Sequence, residues 1–582
     1  MKRDNAVLRG LAVALSLLAY GAAAEPGTDE RDAAEHHDAY LRFLDECGNG
    51  KVAVGQASSM EAVRPRAAFK WREADAVRVR LARGERESVQ IIVASAKGDL
   101  KDVGVEVDMG RGSAFSSSNV TASVVGFVRT TKKPPYKVRP AMKSPSLGWW
   151  PDAILDFQKT VDVCGEDVQS FWVRVTCPTN QPAGDYVGVL RVMVGGKEAA
   201  KSSFHVHVND FSVGRTSPLP LSVSFKPCKS DMKRGETLPP DDYRLAWKTR
   251  REAYCDWLAD YYLTWDSLYV NHTLEPQWDM LLRLKEQGRL GLFNLCYWWY
   301  MDNNDEKGEE FFRKKFLSKY RERYDRAKEL GLLDHAYFGG CGEQKEPVFK
   351  KMSWAIDLMH KELPGVPLAS TVWDWKRGTD GSPLAGLDIH IPLVIRYYPE
   401  VAKKAREEGR KVWWYICNWP NAPWINGLLE DPPCQLRILM GALTQKMKPD
   451  GFLYYETANW LGKNAVTNGP WIDWDPRTFA EWHGDGQWTY CGGPDLMPLA
   501  TLRLENFRDG IDDLWYAKLL EQKLKQVESS KMKVQSEEWI RRAKAALAVP
   551  DELARDGKTF TIDTEVIYRW RDEMADLIEQ RN

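Results

Sequence analysis

The sequence carries almost no net charge and few residues of the kinds that usually bind metal. Lys and Arg total 81 against 82 Asp and Glu, so no basic surplus is present to attract nucleic acid or anionic lipid. None of the nine His residues occurs in an HxxxH arrangement, and the ten Cys residues include no CxxC pair. The sequence therefore predicts neither a catalytic metal nor structural zinc, and it leaves the pairing of any disulfide open.

Signature motifs of several enzyme classes are also missing. The sequence contains no GxSxG nucleophile elbow and no Gly-rich phosphate loop, which argues against an esterase and against a kinase. After Glu25 no segment is long and apolar enough to span a membrane. No cofactor is predicted, and neither nucleic acid nor a membrane span is expected for the mature chain.

The N-terminal residues have the layout of a secretory signal peptide. Basic residues precede an apolar run from Leu11 to Tyr20, and small residues follow at Ala22–Ala24. A short membrane anchor is the alternative, but the run falls short of the ~20 residues that cross a bilayer. We therefore expect residues 1–24 to be removed and the mature protein to be exported, to the periplasm or the extracellular space.

The chain of 582 residues is longer than one hydrophobic core usually supports, so several domains are expected. Residues 25–50 are polar and charged, as in a linker or cap. Between 51 and 212, short alternating runs such as Val77-Val79-Leu81 are punctuated by Gly, Pro and Ser, which predicts a β-sandwich. Residues 501–582 are predicted to form a C-terminal helical segment.

The segment 216–500 repeats one local pattern that is typical of a parallel sheet. A Lys- and Glu-rich helix end is followed by Gly or Pro and then by an apolar run, as at Lys285–Gly288. The strand candidates are Leu221–Phe225, Ser267–Val270, Leu292–Cys296, Ala336–Phe338, Pro367–Thr371, Leu387–Pro392, Val412–Cys417 and Phe452–Tyr455.

Eight such strands with helices between them close a (β/α)8 TIM-type barrel, because eight is the number that completes the ring. An open doubly wound sheet is the alternative, but it would need a Gly-rich turn after its first strand, and none follows Phe225. The predicted fold class is thus multidomain: an N-terminal β-sandwich, a (β/α)8 barrel and C-terminal helices.

Aromatic residues are the most abundant unusual feature, with 25 Trp, 22 Tyr and 19 Phe. Flat aromatic faces suit the C–H faces of sugar rings. In a barrel, ligand contacts come from the carboxyl ends of the strands and the loops after them. Core packing accounts for most of the Trp residues. The residues predicted to contact a sugar are Trp298, Trp299, Trp373, Tyr415, Asn418, Trp419, Tyr455, Asn459 and Trp460.

Carboxylates follow the same strand ends. Hydrolysis of a glycosidic bond needs a protonated acid for the leaving oxygen and a second group for the sugar carbon. Glu343 is predicted to be the acid, because it follows an apolar run and two small residues. Glu456 and Asp374 are predicted to supply the second group, with Asp388 also near a strand end. The alternative is that these acids only cap helices or form salt bridges.

Several motifs resemble glycoside hydrolase family 123. They include Gly451–Tyr455, Gly484-Asp485-Gly486 and, most specifically, the Arg-rich run Leu502–Asp513, while Gln169–Pro178 resembles the family's N-terminal domain. The resemblance implies a β-N-acetylgalactosaminidase in which an adjacent Asp-Glu pair follows the fourth strand.

The matching positions here are Gly342-Glu343, so the acid is kept and the carboxylate that would orient the acetamido group is missing. A carboxylate from another strand, Glu456 or Asp374, would shift the chemistry toward a two-carboxylate hydrolase. The sequence as a whole predicts an exported glycoside hydrolase that acts on a polysaccharide or glycan. A non-catalytic carbohydrate-binding protein and a scaffold protein are the alternatives, and the oligomeric state stays open.

Overall fold

The computed structural model describes residues 52–65, 72, 74–95, 98–138, 147–165, 167–225, 249–266, 268–269, 275–298, 308–460, 463, 465–478, 481–529 and 536–580. The predicted signal peptide, the predicted linker or cap at 25–50, and Trp299 lie outside these ranges. Within them, no helix combines the length and the apolar character needed to cross a membrane.

The N-terminal part is rich in β-strands, because β-branched residues alternate with polar ones along most of its length. The strands are β1 Val52–Ser58, β2 Ala76–Arg83, β3 Arg86–Ser95, β4 Leu100–Asp108, β5 Val120–Thr130, β6 Gly148–Leu155, β7 Thr160–Val163, β8 Asp167–Thr176, β9 Gly184–Val194 and β10 Lys197–Ser212. One sheet has the order β1-β3-β8-β5 with β6 beside β5, and the other has the order β2-β10-β9-β4-β7. Inward residues of both sheets, such as Val79, Ile91 and Phe204, share one core.

Parallel strands follow in the middle of the chain: β11 Leu221–Val223, β12 Phe293–Asn294, β13 Ala336–Gly339, β14 Leu368–Ser370, β15 Ile389–His390, β16 Lys411–Val412, β17 Trp414–Ile416 and β18 Phe452–Tyr454. Their sheets have the orders β12-β13-β14-β15-β16 and β11-β18-β17, with every pair parallel. Strands β16 and β17 belong to one extended segment that is interrupted only at Trp413, so they connect the two sheets into one continuous series of strands.

Each strand predicted in this segment contains an observed strand except the second, Ser267–Val270. Ser267 and Val270 lie outside the described residues, and Leu268 and Tyr269 are in a turn. Three further short strands are β19 Trp471–Ile472, β20 Thr489–Cys491 and β21 Pro498–Ala500. Strand β19 pairs with β5, so this part of the chain extends an N-terminal sheet.

Helices separate the parallel strands and end the chain. They are α1 Arg251–Ala259, α2 Trp278–Glu286, α3 Gly308–Phe312, α4 Ser318–Glu329, α5 Phe349–Glu362, α6 Pro399–Glu407, α7 Cys434–Ile438, α8 Thr444–Met447, α9 Leu502–Ser529, α10 Glu537–Ala548 and α11 Thr564–Glu579. Short π-helical segments, Arg313–Leu317 and Leu439–Leu443, join α3 to α4 and α7 to α8. The last three helices lie in the segment predicted to be helical.

A buried ion network joins the β-rich region to these helices. Arg437 of α7 donates bonds of 3.1 and 2.9 Å to Glu87 of β3 and of 2.8 and 3.0 Å to Asp513 of α9. Arg571 of α11 donates to Asp513 at 3.0 Å and also binds Glu85. All five side chains are buried, so the charges are compensated by one another and not by water.

Breaking this network is expected to be costly. In Arg437→Met, the buried Glu87 and Asp513 carboxylates each lose a charged partner, which should destabilise the fold by about 3–5 kcal/mol. The measurement is the urea midpoint followed by tryptophan fluorescence. Arg541→Met, which removes an exposed i,i+3 pair with Glu538, is the control and should leave the midpoint unchanged. Equal midpoints for the wild type and Arg437→Met would contradict the interpretation.

Candidate active site

Glu343 lies in a tightly turned loop directly after β13. Cys341 and Glu343 both have positive φ, at 45° and 58°, which is uncommon for residues other than glycine. The backbone N–H of Glu343 donates to Thr371 Oγ1 at 3.2 Å, which ties this loop to the loop after β14. Backbone held in a sparsely populated conformation is often found at functional sites, where the surrounding structure fixes one side-chain direction.

The Glu343 carboxyl is mostly buried and has one observed side-chain partner. Tyr415 of β17 donates its hydroxyl to Glu343 Oε1 at 2.9 Å. Burial raises the pKa of Glu343 above its ordinary value, and the Tyr415 hydrogen bond partly opposes that rise. A carboxyl with a raised pKa keeps its proton closer to neutral pH, which a general acid requires.

Gly342 leaves room for a neighbouring phenol. Its N–H donates to the Tyr297 hydroxyl at 3.0 Å. A Cβ at position 342 would lie 2.9 Å from Thr371 Oγ1 and 3.2 Å from the Tyr297 hydroxyl. The space next to Glu343 that a side chain at 342 would enter is therefore bordered closely by Thr371 and Tyr297.

Four tyrosines, Tyr269, Tyr297, Tyr415 and Tyr455, belong to one packed cluster, called here the tyrosine wall, which reaches Glu343 through the Tyr415 hydroxyl. The rings of Tyr269 and Tyr297 lie 5.6 Å apart. Burial raises the pKa of Tyr269, and the neighbouring ionisable groups of Tyr297, Glu343 and Glu456 raise it further. Glu343 and Glu456 are therefore both close enough to Tyr269 to influence its ionisation.

Glu456 follows β18 and is held by its own backbone. Its Oε1 accepts hydrogen bonds from the N–H groups of Thr457 at 2.8 Å and Ala458 at 2.9 Å. Only 7% of the residue is exposed. The carboxylate thus has a fixed direction at the carboxyl end of a parallel strand, as predicted for a site residue.

Asp374 follows β14 and is bonded to the loop that it begins. Its Oδ1 accepts from the N–H of Lys376 at 3.0 Å, and its Oδ2 accepts from the N–H of Gly378 at 2.7 Å and the hydroxyl of Ser382 at 2.8 Å. Both oxygens are therefore engaged by the residue's own loop. These contacts shape residues 374–382, and the catalytic role of Asp374 stays a prediction.

Some of the residues predicted to contact a sugar are buried, and others have partly exposed surface. Trp298 and Trp460 are fully buried, with their indole N–H groups donating to Ala369 O at 3.3 Å and Thr489 O at 2.9 Å, so they pack in the core and do not face a ligand. Tyr415 is buried beside Glu343. The residues with partly exposed surface at these strand ends are Trp373, Asn418, Trp419, Tyr455 and Asn459.

Asp485 was not predicted as a site residue, although it sits behind the tyrosine wall. It has no exposed surface, Tyr455 donates to its Oδ2 at 2.8 Å, and its Oδ1 has no hydrogen-bond partner among the described residues. Burial raises the pKa of Asp485 to about 7. The signal in the sequence was the run Gly484-Asp485-Gly486. In the structure Gly486 has a φ of 67°, and a Cβ there would lie 2.6 Å from the Tyr455 hydroxyl.

Two family models match the sequence. The glycoside hydrolase 123 catalytic domain matches residues 294–520, and the glycoside hydrolase 123 N-terminal domain matches residues 67–194. The chain belongs to glycoside hydrolase family 123. The resemblance proposed from the motifs is thereby confirmed, and the protein is a glycoside hydrolase. The catalytic-domain match includes Glu343, Glu456 and Asp485.

A solved structure supports the family assignment. This family 123 chain is similar to a family 123 glycoside hydrolase from Clostridium perfringens whose structure was used to analyse glycolipid glycan hydrolysis. The TM-score is 0.64 at 14% identity, with 91% of this chain and 98% of that chain covered, which shows a shared fold. A family 39 glycoside hydrolase from Bacteroides cellulosilyticus WH2 has a TM-score of 0.31 at 13% identity, covering 71% of this chain and 81% of that one, and supports no conclusion. No curated relative matches the sequence.

Among the described residues of this hydrolase, no group of three or more His, Cys, Asp or Glu side chains could hold a metal ion.

The buried Asp485 predicts a pH-dependent stability difference. The pKa of Asp485 is about 7 in the folded state against an ordinary 3.8, so the folded state binds this proton more tightly than the unfolded state does. The free energy of unfolding therefore falls as the pH rises from about 4 to 7. Asp485→Asn should therefore gain stability relative to the wild type over that range, by up to a few kcal/mol. Urea midpoints at several pH values test this, with the exposed Asp473→Asn as control. A difference between wild type and Asp485→Asn that is flat with pH would contradict it.

Proposed function

We propose that this protein cleaves a glycosidic bond with Glu343 as general acid and base. The observation that carries the proposal is the position of a mostly buried carboxyl with a raised pKa beside Tyr415 and the tyrosine wall. A protonated carboxyl can give its proton to the leaving oxygen, and the resulting carboxylate can then take a proton from water.

The parallel strands are inferred to complete a (β/α)8 barrel. Their succession β12-β13-β14-β15-β16/β17-β18-β11 has the order of the third to eighth and first predicted strands. Only the second, around residues 267–270, is left to lie between β11 and β12. Glu343, Tyr415 and Glu456 would then share the carboxyl-end face where barrel enzymes carry their chemistry.

Glu456 is proposed as the second carboxylate. Its charge and that of Glu343 both act on Tyr269, and its backbone hydrogen bonds fix its direction. Asp374 remains the alternative, and both of its oxygens accept hydrogen bonds from its own loop. Glu456 would attack the sugar carbon, with Glu343 first acid and then base; if Glu456 instead activates the attacking water, Glu343 acts as the acid alone.

The proposed reaction does not use the substrate's acetamido group. The position at which the family resemblance implies an orienting carboxylate is Gly342, and the Tyr297 hydroxyl and Thr371 Oγ1 border the space there. A glycan is the proposed substrate, since the chain belongs to a family of glycoside hydrolases. Export through cleavage near Glu25 is also proposed, and N-terminal sequencing of the secreted protein tests it.

Replacing the proposed acid should abolish most activity. Glu343→Gln keeps the shape of the side chain but cannot exchange the proton, so kcat/KM on unactivated glycosides should fall about 10²–10⁴-fold. Release of reducing sugar from a glycan panel and of the aryl group from aryl glycosides measures this. Glu346→Gln, an exposed acid three residues further along, is the matched control. Equal activity of Glu343→Gln and wild type would remove Glu343 from the mechanism.

Removing the Tyr415 hydroxyl should shift the pH profile. The hydrogen bond stabilises the ionised carboxyl, so Tyr415→Phe raises the pKa of Glu343 further and moves the alkaline limb of kcat/KM to higher pH. Tyr324→Phe is the control, because Tyr324 lies on helix α4 and its hydroxyl donates to the carbonyl of Pro364. A limb that stays in place or moves to lower pH would contradict the acid role.

The acetamido-independent route can be tested with an inhibitor. A thiazoline derived from N-acetylgalactosamine imitates the cyclic intermediate that forms when the acetamido group is the nucleophile, and it should not inhibit this enzyme tightly. Aryl glycosides with a 2-hydroxyl in place of the acetamido group should retain turnover. Tight thiazoline inhibition with loss of all activity on 2-hydroxy substrates would contradict this part of the proposal.

A further inference from the structure

Two exposed cation–indole pairs lie in the loops next to Glu343. Lys345 Nζ lies 5.0 Å from the centre of the Trp373 ring, and Arg396 Cζ lies 4.7 Å from that of the Trp375 ring. Trp375 is 49% exposed, the largest fraction of any described Trp. These four residues are called the cationic rim. Neither Lys345 nor Arg396 has an ion-pair partner within the described ranges of the chain.

The rim is held rigidly by buried residues beneath it. The Asp374 carboxylate fixes the turn that carries Trp375, as described above. Arg377, which is buried, donates to the carbonyl of Arg396 at 2.8 Å and so ties the two loops together. An exposed indole under a guanidinium is therefore preorganised, and binding a ligand there costs little ordering.

The rim is continuous with the proposed catalytic site. The backbone N–H of Trp373 donates to the carbonyl of Gln344, the residue after Glu343, at 2.9 Å. Leu393 pairs with Tyr415 in a parallel bridge, three residues before Arg396. A chain of sugars that reaches Glu343 from this side would cross the rim first.

The rim carries two cations, Lys345 and Arg396, and one exposed acid, Glu346, follows Lys345 in the sequence. Asp374 is buried and bonded to its own loop, and the exposed Asp380 is paired with Lys404. Indoles bind the C–H faces of sugars, whereas a guanidinium and an ammonium with no acidic partner bind carboxylate or sulfate. The overall charge of the chain is near zero, so this local excess is not part of a general polyanion-binding surface.

We propose that the cationic rim binds an anionic sugar, carboxylated or sulfated, in the part of the substrate next to the bond at Glu343. The inference rests on the proposed function and specifies that the glycan substrate carries a negative charge. Trp373 and Trp375 contact the sugar faces, and Lys345 and Arg396 bind the acidic group.

The test compares three probes that differ in charge: chondroitin sulfate oligosaccharides, the same oligosaccharides after desulfation, and the desulfated form with its carboxyl groups reduced. Binding is measured by titration calorimetry with Glu343→Gln protein, so that turnover does not interfere. We expect affinity for at least one anionic probe to exceed that for the neutral one about tenfold or more and to fall with added salt. The desulfated probe distinguishes carboxylate from sulfate recognition.

Variants locate the binding site. Lys345→Gln with Arg396→Gln should remove the preference for charge, and Trp375→Ala should weaken every bound probe. Trp354→Ala, which removes another exposed Trp at 37% on the outer helix α5, is the matched control and should bind as the parent does. Equal binding of all three probes, no binding of either anionic probe, or full charge preference in the double variant would overturn the inference.

The result is independent of whether Glu343 catalyses the reaction. Charge-selective binding by the rim together with full activity of Glu343→Gln would leave the rim standing and remove the proposed catalytic role. Loss of activity in Glu343→Gln together with equal binding of charged and neutral probes would support the catalytic role and remove the proposed anion site.

Discussion

The buried ion network around Arg437 and Arg571 is the constraint on which the rest of the molecule depends. It joins the turn and strand at Glu85 and Glu87 to three helices that lie hundreds of residues further along the chain. Buried charges are tolerated only when their partners are placed accurately. The network therefore fixes how the β-rich region sits against the helices, and it explains the acidic residue Asp513 in the run Leu502–Asp513, which the sequence marks most clearly as a family motif.

The same helix links this interface to the site. Arg503 of α9 donates to Asp152 of β6 at 2.9 and 2.8 Å and to the carbonyl of Gly484 at 2.7 Å. Gly484 precedes Asp485, which binds Tyr455 of the tyrosine wall. A strand of the N-terminal region, helix α9 and the tyrosine wall are thus connected through consecutive buried contacts. The N-terminal region supports the site although it supplies none of the residues proposed for catalysis.

The parts of the site that the sequence predicts are those set by local pattern. Glu343 and Glu456 were identified because a carboxylate after an apolar run reaches the carboxyl end of a parallel strand. Trp298 and Trp460 follow strands in the same way, yet both are buried, and local pattern does not record which side of a loop faces the core. Asp485 belongs to a loop outside the strands, so its burial behind Tyr455 depends on tertiary contacts that spacing does not encode.

In the proposed site the acidic residues are buried, whereas the cations lie at the exposed rim. Glu343 and Asp485 lie beside phenols, where burial raises the pKa of each carboxyl and favours its protonated form, while Lys345 and Arg396 lie at the exposed edge. Cations closer to Glu343 would lower its pKa and oppose proton donation. An anionic sugar held at the edge would neutralise them and add negative potential near Glu343, so a substrate bound there would favour the protonated acid that its own cleavage requires.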